Sequence, residues 1–270
     1  MAGLFSGDAS FMCRKRARLA TVLAPAALAL ASLCASGAAL AADAQQRAEA
    51  GRLDPLARAA FWGAELQANA ADAEAGAGLA QALRGLGRND EAAEVAAKAL
   101  VARPDDVPLL LELARAHIAR GQGFYAIEPA RKAASLSPRD WRPLTLLAVA
   151  YEQAQRDDEA EAAHRQALAL APNEAAPLTN YAMHLAARGD LVGAEAQLRR
   201  AVALPSAGIQ ARQNLALVVG LQGRLPEAEK LARADLPPEQ VANNLAYLRA
   251  ALGQAGSGRT WDSLKSGGGQ

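Results

Sequence analysis

The sequence predicts an all-α protein, a right-handed superhelix of about five stacked helix-turn-helix units closed by a C-terminal capping helix. Three observations carry that expectation. Hydrophobic residues make up 51% of the 270 positions but aromatics only 4%, and such an alanine-rich, aromatic-poor chain favours close helix packing over a sheet core, because alanine is the best helix former and has little β preference. Pro104, Pro138 and Pro172 are spaced 34 apart, with Pro205 one residue early. Small residues and glycines recur in fixed columns at the same interval.

The chain opens with MCRKRARLATVLAPAALALASLCASGAALAA over residues 12–42. A basic cluster, an apolar run from Leu19 and small residues ending Ala39-Leu40-Ala41 predict a secretory signal peptide over 1–41, cut after Ala41. Met12 stands directly before the basic cluster and is a second candidate start. The apolar run is also long enough for an uncleaved membrane anchor. Cys34 is a candidate lipidation site, as the first residue of a bacterial lipoprotein, although Leu33 stands where that signal wants a small side chain. A body cut after Ala41 holds no cysteine, which excludes disulfides and thiolate metal sites from it.

Residues 42–72 are expected to form a helical lead-in. Phe61–Ala75 reads as the second helix of a degenerate earlier unit, with Trp62 and Phe61 packing on the first full repeat. From 73 to 236 the repeat is regular. Ala80, Ala114, Ala148, Ala182 and Ala216 share one column, and Ala92, Ala126, Ala160, Ala194 and Ala228 another. A small residue in both lets the two antiparallel helices of a unit approach closely. Leu79, Leu113, Leu147, Tyr181 and Leu215 precede the first of these columns. Gly87, Gly121, Gly189 and Gly223 mark the turn within each unit, where a left-handed residue ends the first helix. Gln155 is the one departure. The proline stops the second helix, and because one pair cannot bury both faces, neighbours must stack. This is the tetratricopeptide pattern.

At 237–253 the rhythm breaks. Asp235 takes the column of Ala99, Ala133, Ala167 and Ala201, and Pro237 and Pro238 stop the last repeat helix and open a new one. Val241, Leu245, Leu248 and Leu252 then recur at helical spacing, an apolar stripe suited to covering the open end of the stack, with Gly253 closing the helix. Residues 254–270 read as a flexible tail.

Charge and motifs exclude several functions. Four of the 29 basic and one of the 28 acidic side chains lie in residues 1–41, leaving 25 and 27, a net of −2. So neutral a body lacks the footprint of a nucleic-acid binder. There is no nucleophile elbow, phosphate loop or zinc-protease motif, so no catalytic or cofactor-binding residue, no cofactor and no small-molecule substrate are expected. The acidic pairs Asp105-Asp106 and Asp157-Asp158 fall in inter-helix turns as caps and solvated charge. His117 and His164 stand in columns of core residues, which predicts packing roles. His184 is separated from both, and the spacing supplies no convergent metal-ligand set.

What remains is a surface. The first helix of each unit lines the concave face of such a stack, and its inward positions are Gln81, Arg84, Leu111, Arg115, Thr145, Val149, Glu152, Thr179, Asn180, Met183, Gln213, Asn214 and Leu217. Mixed apolar and amide side chains suit an extended or helical peptide partner; the alternative is a merely solvated polar face. The paired lysine and asparagine clamp of chaperone-binding tetratricopeptide domains is not reproduced, which excludes that co-chaperone role.

Two segments are more particular: FWGAELQANAADAEAGAGLAQALRGLGRNDEA, from Phe61, and RQNLALVVGLQGRLPEAEKLARADLPPEQVANNLAYLRAALG, Arg212 to Gly253. Together they resemble the TadD-like proteins of the tight-adherence (Flp) pilus assembly system, over roughly residues 55–264 and including Thr260-Trp261-Asp262-Ser263-Leu264. The resemblance implies a periplasmic, outer-membrane-associated assembly factor that helps a secretin channel localise or multimerise. Family members are commonly lipoproteins, and Leu33 departs from that pattern. A general periplasmic interaction module for cell-envelope assembly is the competing reading; neighbouring genes for a secretion ATPase, a secretin and a small pilin would separate the two.

Overall fold

The computed structural model describes residues 43–255. The leader with Met12 and Cys34, the cut after Ala41, and the tail with Thr260 to Leu264 lie outside them. Five helix pairs follow one another: α3 (Ala73–Gly85) with α4 (Asn89–Ala102), α5 (Val107–Ala119) with α6 (Gly123–Leu136), α7 (Trp141–Gln153) with α8 (Asp157–Leu170), α9 (Ala175–Ala187) with α10 (Leu191–Val202), and α11 (Ile209–Leu221) with α12 (Leu225–Ala232). Ahead of them come α1 (Ala44–Ala50) and α2 (Pro55–Ala68), and behind them α13 (Pro238–Ala255). Among the described residues no helix is long and apolar enough to cross a membrane.

The two alanine columns do what their size predicts. Ala80, Ala92, Ala114, Ala126, Ala148, Ala160, Ala182 and Ala194 are all fully buried, so helix backbones meet over methyl groups. The first helices of successive pairs also touch one another, α3 to α5, α5 to α7, α7 to α9 and α9 to α11. They form the inner layer of the stack.

The glycine column also behaves as expected. Gly87 has φ +74°, and the amide of Arg88 donates back to the Leu83 carbonyl at 2.9 Å, a Schellman closure that satisfies a helix-end carbonyl. Gln155 adopts the same left-handed turn at φ +58° and closes it alike, Arg156 N–H to Tyr151 O at 2.9 Å. The repeat therefore imposes the conformation even where the residue resists it. Asp106 caps α5 by accepting from the Leu109 amide at 3.0 Å, Asp157 and Asp158 sit in the first turn of α8, and Asp105 pairs with Lys132 at 2.8 Å.

At the front, Trp62 is buried with Ala50 and Ala75 and packs beside Phe61 and Leu79, as the lead-in reading anticipates. Helix α2 ends at Ala68, however, and Ala73 already opens α3, so Phe61–Ala75 is not one helix. Asn69 to Asp72 intervene, with the Asp72 carboxylate accepting from the Ala75 amide at 3.0 Å and thereby restarting the chain.

At the rear, Val241, Leu245 and Leu248 of α13 join the cluster formed by Leu198, Leu215, Val218 and Val219. The seat is close: a Cβ on Gly220 would stand 2.4 Å from Leu248 Cδ1, so that side chain would have to turn aside. Asp235 does not end the stack unpartnered; its carboxylate takes a two-pronged bond from Arg212, 2.7 Å for each arm. The capping helix runs to Ala255 rather than closing at Gly253. A glycine weakens a helix but does not by itself end one.

Candidate functional site

Every inward position expected from the sequence lies on a first helix, from Gln81 on α3 to Leu217 on α11. The structure nevertheless divides them among separate places. Gln81, Leu111 and Arg115 line a groove of about 440 Å³ together with Trp62 and Arg142. Gln213, Asn214 and Leu217 face Asn244 and Tyr247 of α13 across a second recess. Val149 and Glu152 border a third with His184 and Arg188. Asn180 and Met183 are half-buried between the last two groups in sequence.

Three positions offer a partner less than expected. Thr145 and Thr179 are buried, and their hydroxyls donate to carbonyls one turn back, Trp141 O at 3.3 Å and Ala175 O at 2.7 Å. A threonine at such a site finds its own helix nearer than any ligand. Leu111 is 4% exposed and serves as floor rather than contact.

Arg84 and Arg115 are not free either. Both reach Glu112, the first at 3.1 Å and the second one turn along the same helix. Glu112 itself is buried, and a buried carboxylate must be paired. The residue was legible as an acid in a column that later holds Leu146, Asn180 and Asn214, set three positions before Arg115. Nearby, Arg142 grips Asp140, and that guanidinium holds the Asp140 carboxyl below the usual carboxylate range.

The histidines divide as well. His117 is a packing residue: its ring lies 5.8 Å from Tyr125, and burial pushes its imidazole below the ordinary value. His164 and His184, by contrast, meet. Nε2 of His164 and Nδ1 of His184 both donate to Oε1 of Glu152, at 2.8 and 2.9 Å, and both rings are buried. The sequence spacing suggested no convergence because the three residues sit on α7, α8 and α9, 12 to 32 residues apart; stacking brings these helices together.

Around this centre stand further polar groups. Nε2 of His184 approaches Glu161 Oε2 at 3.2 Å but makes no hydrogen bond of acceptable geometry. Glu161 in turn accepts from the Tyr181 hydroxyl at 2.7 Å and pairs with Arg165 at 2.6 Å. Burial is the larger cause that raises the Tyr181 phenol, and this carboxylate neighbour is the second.

The comparisons with known proteins agree with this architecture. The tetratricopeptide repeat family model matches residues 144–178, which are most of α7, all of α8 and the start of α9. The fold is a tetratricopeptide repeat superhelix. Among solved structures, a thermophilic tetratricopeptide repeat protein of Thermus thermophilus, TTC0263, is 24% identical, with 66% of this chain and 99% of that one covered at a TM-score of 0.58. MamA from residue 41 onward of Desulfovibrio magneticus RS-1 is 19% identical over 59% of this chain and 91% of its own, at a TM-score of 0.51. Cut9–Hcn1 of the APC/C is 15% identical, covering 77% of this chain and 40% of its own at 0.62. Likeness at this level concerns the fold. No curated protein sequence matches the chain. Tetratricopeptide repeat stacks typically serve as non-enzymatic interaction modules.

Proposed function

We propose that this tetratricopeptide protein is an exported, non-enzymatic scaffold in tight-adherence pilus assembly, and that its concave face helps a secretin subunit localise or multimerise. The observation that carries the reading is the lining of the inner layer. Asn180, Met183, Gln213, Asn214 and Leu217 are all half-buried, so they present amide and apolar groups on a rigid support that loses little ordering entropy on binding. The pilus context rests on the resemblance of the segments around Phe61 and Arg212–Gly253 to TadD-like proteins.

Replacing Asn180 and Asn214 together by alanine is expected to weaken capture of the secretin subunit by about tenfold, the effect of roughly 1.4 kcal/mol, with helical circular dichroism unchanged. Capture at the wild-type level would remove the concave face from the proposal. The proposal places the body in the periplasm. Intact mass of the exported protein reads whether it begins after Ala41 or at a lipid-modified Cys34.

A further inference from the structure

The repeat allows each junction between pairs to be compared position by position. Three columns converge there: one near the end of the first helix, one in the middle of the second helix, and one in the first helix of the next pair. Between the second and third pairs they hold Ile118, Ala130 and Ala150, which share an apolar cluster. Between the fourth and fifth they hold Ala186, Leu198 and Val218, again in one apolar cluster. Between the first and second, Ala96 and Ala116 pack together, with Arg84 in the remaining place. Between the third and fourth the same three columns hold Glu152, His164 and His184.

Burying two imidazoles beside a partly exposed carboxylate, where two of the sister junctions hold only methyl and aliphatic groups, costs stability unless every buried polar group is satisfied. Here one is not. With Nδ1–H of His184 donated to Glu152, its Nε2 is a buried nitrogen without a hydrogen bond, although a carboxylate lies 3.2 Å away. A cation on Nδ1 eases the conflict, because the ring proton then moves to Nε2, 3.2 Å from Glu161 Oε2, where a small turn of that carboxylate lets it accept. A metal-ligating histidine whose second nitrogen donates to a carboxylate is the usual outer-shell arrangement. Tyr181 and Arg165 both hold Glu161 by Oε1, which leaves Oε2 to the imidazole.

We propose that Glu152, His164 and His184 form a binding site for one divalent late first-row transition metal ion, of which Zn²⁺ is the type. The candidate ligand atoms, one from each residue, lie within 4.8 Å of one another. Imidazole nitrogens bind such ions at about 2.0–2.1 Å and carboxylate oxygens at about 2.0–2.2 Å, so the set closes by a small side-chain adjustment. Glu152, the member left partly exposed, is free to make it, while burial holds the two rings. Two nitrogens and one oxygen without sulfur select Zn²⁺, Cu²⁺ or Ni²⁺ over Mg²⁺ or Ca²⁺. Glu152 and His184 border the recess that also holds Asp157 and Arg188, which leaves the remaining coordination position to water. Because the ligands come from α7, α8 and α9, the ion clips two repeats together, a role independent of which partner the concave face binds.

The test is calorimetric titration of the chelator-treated full chain with ZnCl₂, read alongside melting temperature and the visible spectrum of the Co²⁺ form. One equivalent should bind, with a melting temperature that rises with free Zn²⁺ and a tetrahedral Co²⁺ spectrum. Glu152→Gln and His184→Ala should each weaken binding by at least about tenfold, and Glu161→Gln by about 10–100-fold, the loss typical of an outer-shell partner. The columns already tolerate alanine at Ala116 and Ala150, and Glu152→Gln keeps the shape, so at least one of these variants folds. His117→Ala should bind as the wild type does. Failure to bind one equivalent, or wild-type affinity in Glu152→Gln and His184→Ala, overturns the site and leaves a buried polar cluster only.

Discussion

Ile118, Ala130 and Ala150 meet in an apolar cluster at one junction of the stack, and 34 residues further on Glu152, His164 and His184 occupy the same three positions, both rings buried. The backbone is alike at both. The turn before the second junction even keeps its left-handed residue, Gln155 at φ +58° where Gly121 has +68°. The difference shows that the repeat fixes the scaffold through its alanine and turn columns, while a junction can change chemistry if its members change as a set. A lone polar member needs a partner from outside the three columns, as Arg84 finds in Glu112 at the first junction, and without one it is buried unpaired. Several exceptions to the repeat lie close together: Gln155, Tyr181, Glu152, His164 and His184 all fall within the third pair or the first helix of the fourth.

The largest effect should come from breaking the set rule at the apolar junction. Ala150→His places an imidazole at a fully buried position beside Ile118 and Ala130, overfilling it and leaving a ring nitrogen without an acceptor. A loss of about 3 kcal/mol is expected in urea unfolding, and adding Ile118→Glu with Ala130→His should return part of it. An unchanged midpoint in the single variant would mean the junction is loosely packed and the comparison void. A smaller effect of opposite sign belongs to the turn. Gln155→Gly relieves a side chain held in the left-handed region and should raise stability by about 1 kcal/mol, seen as a higher melting temperature; a loss would show that Gln155 makes a contact worth more than its strain.

The smallest effect sharpens the comparison one repeat further along. Glu195 stands in the column of Glu161 but pairs with Arg224, and that guanidinium holds its carboxyl down to about 2. A carboxyl depressed in the folded state adds stability that is present above the unfolded value and is lost as pH falls through the folded one. Wild-type stability should therefore decline between about pH 4.5 and pH 2, and Glu195→Gln should flatten that decline. At neutral pH the substitution should cost under about 1 kcal/mol, because Arg224 is solvent-screened. Identical acid profiles for the two proteins would show that the pairing of Glu195 with Arg224 adds no acid-sensitive stability.

Much of the fold was legible because each repeat column states one physical requirement. Ala80 and Ala92 must be small for helices to touch, Gly87 must tolerate positive φ, and Pro104 cannot continue a helix. The cap was legible in Val241, Leu245 and Leu248, though the place where α13 ends was not, since Gly253 weakens a helix without stopping it. The inward face could be assigned from periodicity, but not its occupancy: Thr145 and Thr179 bond to their own helix, and Arg84 and Arg115 turn to Glu112. Those choices depend on which neighbour is nearer.

The all-α repeat stack, its five pairs and its closing helix could be read from the chain, because local propensity, turn residues and a fixed period all point to one arrangement. That His164, His184 and Glu152 share a centre, with Glu161 behind it, emerges from the packing of the helices. Their columns differ and their spacing follows no metal-ligand motif. They meet because stacking places the end of one first helix, the middle of its partner and the next first helix around a single point, which is a property of helix packing and not of any stretch of chain.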